Sequence, residues 1–85
     1  MYTDVTFSMD GHSSAPSRVG SLLVPQAAQY YPRWFDRGDR SYVRLMVRTT
    51  LVEAMVAKVC SMHPTVRCIS RDEVLPVTGI EGAAS

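Results

Sequence analysis

The sequence predicts a small α+β domain in which one long helix packs on a small mixed or antiparallel sheet. Three observations lead to this fold class: an alternating segment at the amino terminus, a long apolar run in the middle, and short alternating segments near the carboxyl terminus. The 85 residues are expected to form a single domain, 1–85. A domain of this size buries only about 60 to 65% of the surface of its unfolded chain, so a partner is expected to add to its stability.

The first predicted element is a strand at residues 2–9. Its side chains alternate between two sets, which is the period of a strand with one covered face. One set consists of Thr3, Val5, Phe7 and Met9. A flexible loop is predicted at about residues 10–21, because two glycines, one proline and four serines fall within these twelve residues.

The second predicted element is a short helix broken by proline, after Pro25 and before Gly38. Pro25 suits a first helical position, and Pro32 ends the run after about two turns. Gly38 is expected to cap the helical pieces, because glycine readily adopts the left-handed conformation found at helix ends.

The long helix is predicted to run from Ser41 to His63. Ser41 supplies a capping oxygen, and Pro64 disfavours helical conformation in the residue before it. At about 100° per residue, one core-facing stripe forms, made of Leu45, Thr49, Val52, Val56, Val59 and His63. A second apolar group points largely the other way, made of Val47, Leu51, Ala54, Met55 and Met62. We therefore expect the helix to be covered on two faces, by the fold itself or by another chain.

Two further properties of this run affect its interpretation. Its many valines lower the intrinsic preference for helix, so packing has to stabilise the helix. The run is long enough to span a membrane, but four charged side chains within it would cost roughly 2.5 to 3.5 kcal/mol each near a bilayer centre. These are Arg44, Arg48, Glu53 and Lys58. No membrane span is therefore predicted.

The segment after Pro64 predicts the remaining strands. Residues 65–70 alternate and predict a strand, residues 71–73 predict a turn, and residues 74–77 predict a second short extended piece. Pro76 restricts that piece to an edge or an end of the sheet. An extended tail is predicted at about residues 76–85.

Composition and charge limit the compartment and the class of function. The formal net charge is +1, but all nine basic residues lie between Arg18 and Arg71, and the two ends are acidic. No secretion signal is predicted at the amino terminus, so we expect an intracellular protein, in the cytoplasm, an organellar complex or a virus particle. Cys60 and Cys68 are too few for a disulfide scaffold and are expected to be reduced, with a bridge between them as the alternative.

The first hypothesis for function is a small structural or adaptor subunit within a larger assembly, such as a virus particle or a multisubunit complex. It would bind other protein chains or a second copy of itself through the second apolar face of the long helix and through the aromatic segment before it. Tryptophan, tyrosine and arginine dominate the energetics of such interfaces. The predicted interface residues are Tyr31, Arg33, Trp34, Leu51, Met55 and Met62.

The second hypothesis is a binding or inhibitory protein associated with nucleic acid. Five arginines recur at spacings of three or four residues, so on a continuous helix they would share one face. Tyr30, Tyr31, Trp34 and Phe35 lie just before or among them, and arginines beside aromatic rings are suited to phosphate contact and base stacking. The predicted phosphate contacts are Arg33, Arg37, Arg40, Arg44 and Arg48.

The sequence predicts no enzyme and no cofactor or metal site. The polar residues at 10–14 lie in a loop expected to be flexible, whereas nucleophilic catalysis requires a rigid base oriented by a third group. The chain contains no glycine-rich phosphate-binding motif. Cys60, His63 and Cys68 match no standard spacing of zinc ligands.

Overall fold

The computed structural model describes residues 1–74 as a four-stranded antiparallel sheet with helices packed on one face. The elements are β1 (Tyr2–Asp10), α1 (Ala15–Leu23), α2 (Ala27–Tyr30), β2 (Arg33–Arg37), β3 (Arg40–Arg48), α3 (Val52–Cys60) and β4 (Arg67–Val74). Short 3₁₀ turns at Val24–Gln26 and Thr49–Leu51 lead into α2 and α3. The strand order is β2-β3-β1-β4. If α1 and α2 are counted as one helical connection, the chain order is βαββαβ, the topology called ferredoxin-like.

The hydrophobic core lies between the sheet and the helices. Strands place every second side chain on one face, and helices place residues three or four apart on one face. Both patterns converge on the same layer. Its buried members include Val5, Phe7 and Met9 of β1, Ala15, Val19 and Leu23 of α1, Val43, Leu45 and Val47 of β3, and Val52, Met55 and Val59 of α3.

The predicted helix from Ser41 to His63 is wrong. Its first part is β3, and only Val52–Cys60 forms an α-helix. Buried and less buried residues alternate strictly from 40 to 47, and β-branched residues such as Val43 fit a pleated surface better than a helix. The second apolar face predicted for this helix therefore does not exist, and Met55, which was assigned to it, lies in the core.

The predicted flexible loop at residues 10–21 is wrong beyond its first turn. α1 begins at Ala15, with Pro16 in its first turn, where the missing proline N–H removes no helical hydrogen bond. The turn that remains packs closely on the β2–β3 connection. The N–H of Gly11 donates to the Asp39 carbonyl oxygen at 2.7 Å, and a Cβ at residue 11 would lie 3.0 Å from that oxygen.

The predicted proline-broken helix is correct only as far as Tyr30. Residues 33–37 form β2, which pairs with β3 through a two-residue turn of Gly38 and Asp39. Gly38 has a positive φ of 60°, which glycine adopts without steric cost in tight hairpins. Gly38 therefore forms part of the turn of a β-hairpin and does not cap a helix, contrary to the prediction.

The predicted strand at the amino terminus is confirmed, whereas the strand predicted at residues 65–70 is only partly correct, because β4 runs from Arg67 to Val74. β1 covers the amino-terminal segment and pairs antiparallel with β4, with an irregular register between Thr6 and Phe7. Residues 71–73 continue β4 instead of forming the predicted turn. Residues 75–77 of the second short extended piece, and the predicted tail at about 76–85, lie outside the described residues. Within residues 1–74, no helix is long and apolar enough to cross a membrane.

Candidate functional site

No described element covers the face of the sheet opposite the helices, and we call this surface the open face. Residues paired directly across neighbouring strands share a face, so the registers assign its members. They are Tyr2, Asp4, Thr6, Ser8 and Asp10 of β1, Arg33, Phe35 and Arg37 of β2, Arg40, Tyr42, Arg44, Met46 and Arg48 of β3, and Arg67, Ser70, Asp72 and Val74 of β4.

The five arginines that the sequence placed on one helix face do share a face, but on two strands. Residues four apart lie on one side of a strand as well as of a helix, which aligns Arg40, Arg44 and Arg48 along β3. The hairpin register places Arg33 opposite Arg44 and Arg37 opposite Arg40. Their contact with phosphate stays a prediction.

A sixth arginine joins the open face from the other edge of the sheet. Arg67 of β4 lies opposite Ser8 of β1. The sequence alone did not reveal it, because only the pairing of two distant segments brings it to this face. The described part of the open face contains six arginines and three aspartates, so this surface carries a net positive charge. Such a surface attracts anionic partners.

Asp4 lies between two of the arginines. Its Oδ1 is 3.6 Å from Nη2 of Arg33, and its Oδ2 is 3.9 Å from Nε of Arg44. Asp4 Oδ1 and Arg44 Nε are both buried without a hydrogen-bond partner. Buried polar atoms in native proteins almost always have such a partner, so these two atoms are exceptions among residues 1–74.

The other arginines of β2 and β3 differ in how firmly they are held. Arg40 donates from Nε to Ser8 Oγ at 2.7 Å and reaches the Thr65 carbonyl oxygen at 3.5 Å, so its guanidinium is fixed. Within residues 1–74, Arg37 and Arg48 make no side-chain hydrogen bond or ion pair, and both are exposed. Among the arginines of β2 and β3, these two cations are the most available for an incoming anion, and within the same described residues Arg67 of β4 is likewise exposed and without such a partner.

An aromatic pair lies among these arginines. Phe35 and Tyr42 are directly opposite on β2 and β3, and their rings stack with centroids 5.0 Å apart and an interplanar angle of 7°. Phe35 is 42% exposed, so ring surface faces solvent. The stack lies between the pair of Arg33 and Arg44 and the second arginine pair of the hairpin. The sequence alone did not reveal this arrangement, because it depends on the hairpin register.

The residues predicted as a protein interface do not form one surface. Arg33 lies on the open face, whereas Trp34 points to the other side of β2, where its ring approaches Gly20. Met55 is only 7% exposed and Met62 is half-buried against the core. The remaining two, Tyr31 and Leu51, are exposed and come together in a pocket.

This pocket, which we call the end pocket, has a volume of about 450 Å³. That volume is within the range of about 300 to 1,000 Å³ typical of small-molecule sites. One part of its wall comes from the open face and another from α2 and the residue after it. The lining includes Tyr2, Met46 and Arg48 together with Gln29, Tyr31 and Leu51.

Tyr31 has a strained backbone at the end of α2. Its φ of 47° and ψ of 57° lie in the left-handed region, which costs a residue other than glycine about 1 kcal/mol or more. Pro32 follows and prevents α2 from continuing. The strain places an exposed tyrosine in the wall of the end pocket.

The two cysteines lie on the helix side of the sheet as free thiols. Burial raises the pKa of the Cys60 thiol, although the Cys68 backbone partly opposes this shift. The pKa of Arg71 is raised by the neighbouring Cys68 side chain and then by its ion pair with Glu53. Because only the thiolate is strongly nucleophilic, the raised pKa makes Cys60 a poor nucleophile near neutral pH.

Two further findings bear on the site. Among residues 1–74, no three side chains of His, Cys, Asp or Glu come together in an arrangement that could hold a metal ion. Comparisons with protein-family models, curated proteins and solved structures give no match. Because the fold itself is compatible with many functions, function has to be argued from the residues of the open face.

Proposed function

We propose that the protein binds single-stranded nucleic acid on the open face of its sheet. The observation that carries this proposal is the stack of Phe35 and Tyr42 between two pairs of arginines. Every nucleobase has a π-face that stacks on aromatic rings, and arginines neutralise the phosphates between bases. RNA recognition modules stack bases on exposed aromatic residues of a four-stranded sheet, and Phe35 and Tyr42 place exposed ring surface on such a sheet.

The aromatic pair favours single strands over duplexes. In a duplex the bases are already stacked and paired, so their faces cannot reach a ring on a flat sheet. The arginines attract either form. The sequence of β3 lacks the glycine- and aromatic-rich motif of RNA recognition modules. The proposal that this protein binds single strands is therefore supported by the residues of the open face and by an analogy of fold.

The test is fluorescence anisotropy with labelled single-stranded and duplex oligonucleotides at several salt concentrations. Binding to single strands should weaken with salt, with a slope of log K against log salt concentration of about −0.7 per neutralised phosphate. The informative variant combines Arg37→Glu with Arg48→Glu, because neither side chain has an ion-pair partner within residues 1–74. For each phosphate that the variant no longer neutralises, the slope should become shallower by about 0.7.

A matched control combines Arg18→Glu with Lys58→Glu. Both side chains are exposed on helices, and the change in net charge is the same. The control should retain most of the affinity, because these charges lie away from the open face. Equal losses in the two double variants, or no retention of the wild-type protein on single strands near physiological salt, would refute the proposal.

Binding of other protein chains within a larger assembly is a second proposal. It is favoured by Trp34, which is 41% exposed on the edge strand β2 and faces away from the open face. Its strongest sequence argument, a helix with two apolar faces, no longer applies. A tagged pull-down with and without nuclease separates the proposals, because protein partners that resist nuclease and are lost in Trp34→Ala support this one.

A further inference from the structure

The end pocket is continuous with the row of arginines on β3. Neighbours in the row Arg40, Arg44 and Arg48 are about 13 Å apart along the strand, at about 3.3 Å per residue. The last of them, Arg48, lines the end pocket together with Tyr2, which is its partner across β1 and β3. A single strand of nucleic acid whose phosphates follow this row of arginines therefore reaches the mouth of the end pocket.

The lining of the end pocket suits a nucleobase attached to a phosphate. Tyr2 and Tyr31 offer aromatic rings, Gln29 offers an amide with both a donor and an acceptor, and Arg48 offers a cation. Proteins that bind single strands hold unstacked bases with the same side-chain types, by stacking and by hydrogen bonds to the base edge. Among the described lining residues there is no carboxylate to repel the phosphate.

The conformation of Tyr31 is a second, independent observation. Glycine and asparagine adopt the left-handed conformation at a helix end with less strain. Tyr31 occupies it with its side chain 63% exposed, so packing in the core does not account for the choice of residue. Strain of this kind concentrates at functional sites, which directs attention to the ring.

We propose that the end pocket holds one unstacked nucleobase of the bound strand, with Tyr31 stacked on the base and Arg48 on the adjacent phosphate. This inference rests on the proposed function, and it adds a single base position at which the protein holds the strand. The other occupant that Met46 and Leu51 suit is an apolar side chain of a protein partner. Oligonucleotides with abasic sites decide between the two.

The experiment uses the shortest oligonucleotide that retains full affinity, with one base at a time replaced by an abasic site. Anisotropy then measures the wild-type protein and Tyr31→Gly against the whole set. We expect one abasic position to weaken wild-type binding by about fivefold to 150-fold, the range for loss of one stacked base. Tyr31→Gly should bind the intact strand correspondingly less well and should no longer respond to that position.

Two controls separate the ring from the fold. Tyr31→Phe keeps the ring and should retain the wild-type response to the abasic position. Tyr31→Gly removes the backbone strain, so it should unfold at a temperature close to or above that of the wild type.

The outcomes distinguish this inference from the proposal on which it rests. If Tyr31→Gly leaves every affinity unchanged, or if no single position stands out, the nucleobase does not occupy the end pocket while binding on the open face stands. If the wild-type protein binds no oligonucleotide of the set, the proposed function fails, and this inference fails with it.

Discussion

The two faces of β3 carry opposite chemistry within nine residues. The face toward the helices presents Ser41, Val43, Leu45 and Val47, all buried. The open face presents Arg40, Tyr42, Arg44, Met46 and Arg48, of which the first four are half-buried and the last is exposed. One set fills the core, and the other set places three cations and a ring on a surface that no described element covers.

This difference shows how a small domain combines folding with binding. Because successive side chains of a strand point to opposite faces, one segment contributes to the core and to a binding surface without conflict. Substitutions at adjacent positions should therefore differ in kind. Those on the helix side should change the free energy of unfolding, and those on the open face should change affinity.

The largest expected effect is on the free energy of unfolding, and it is tested by comparing alanine substitutions at two adjacent positions of β3. Leu45→Ala should lower the free energy of unfolding by about 2 to 5 kcal/mol, because it leaves a cavity in the core. Met46→Ala should cost clearly less, since Met46 is only half-buried on the open face. Urea unfolding of both variants measures the difference, and equal losses would show that the open face is covered by a further part of the chain or by a second copy.

The comparison within β3 also explains why its fold was mispredicted. A spacing of four residues is compatible with one face of a helix and with one face of a strand, so Arg40, Arg44 and Arg48 fit both. The run from Ser41 to His63, which contains no glycine or proline, then favoured one long helix. The alternation between 40 and 48 and the turn residues Gly38 and Asp39 are the signals of a hairpin that distinguish the two.

β1 was predictable because it alternates up to the turn residues Asp10 and Gly11, and the start of β4 was predictable because it alternates after Pro64. The second half of β4 was not, because residues 71–73 resemble a turn in composition but continue the strand. The composition of the candidate site was partly predictable, since five arginines and Phe35 stood out in the sequence. Its geometry was not, because the stack on Tyr42, the position of Arg67 and the walls of the end pocket depend on the pairing of distant segments.

The next prediction compares the two faces of β2. Phe35→Ala should weaken binding to single strands by about 1 to 3 kcal/mol if its ring stacks on one base, and it should affect duplex binding little. Trp34→Ala is the matched control, because the neighbouring ring faces the helix side. Anisotropy on both nucleic-acid forms measures the two variants, and a larger loss in Trp34→Ala would place the binding surface elsewhere.

A smaller change in the opposite direction is expected at Asp4. Asp4→Asn removes the carboxylate that partly neutralises Arg33 and Arg44, so both cations become more available to phosphates. Affinity for single strands should rise, and the salt slope should steepen by about 0.7 for each additional phosphate that the protein neutralises. The stability should change by less than about 1 kcal/mol, as is typical of partly exposed ion pairs. Unchanged affinity at low salt would show that these two arginines do not contact the strand.

The smallest effect concerns the pH dependence of stability on the helix side, at Cys60. Its pKa is raised chiefly by burial, with the charge of Cys68 adding to the shift and that of Arg71 opposing it. The folded state therefore favours the neutral thiol. This contribution is fully present below the ordinary thiol pKa of about 8.5 and is lost as the pH rises through the higher pKa of the folded state.

The wild-type protein should consequently lose more stability than Cys60→Ala between about pH 8 and pH 10. The other groups that titrate in this range are present in both proteins, so their effects largely cancel in the difference. Urea unfolding at each pH, with reductant present, measures the free energy of unfolding of both proteins. If the free energy of unfolding of the wild-type protein minus that of Cys60→Ala rises with pH instead of falling, the folded state favours the thiolate, as it would if the Cys68 backbone and Arg71 rather than burial determined the pKa of Cys60.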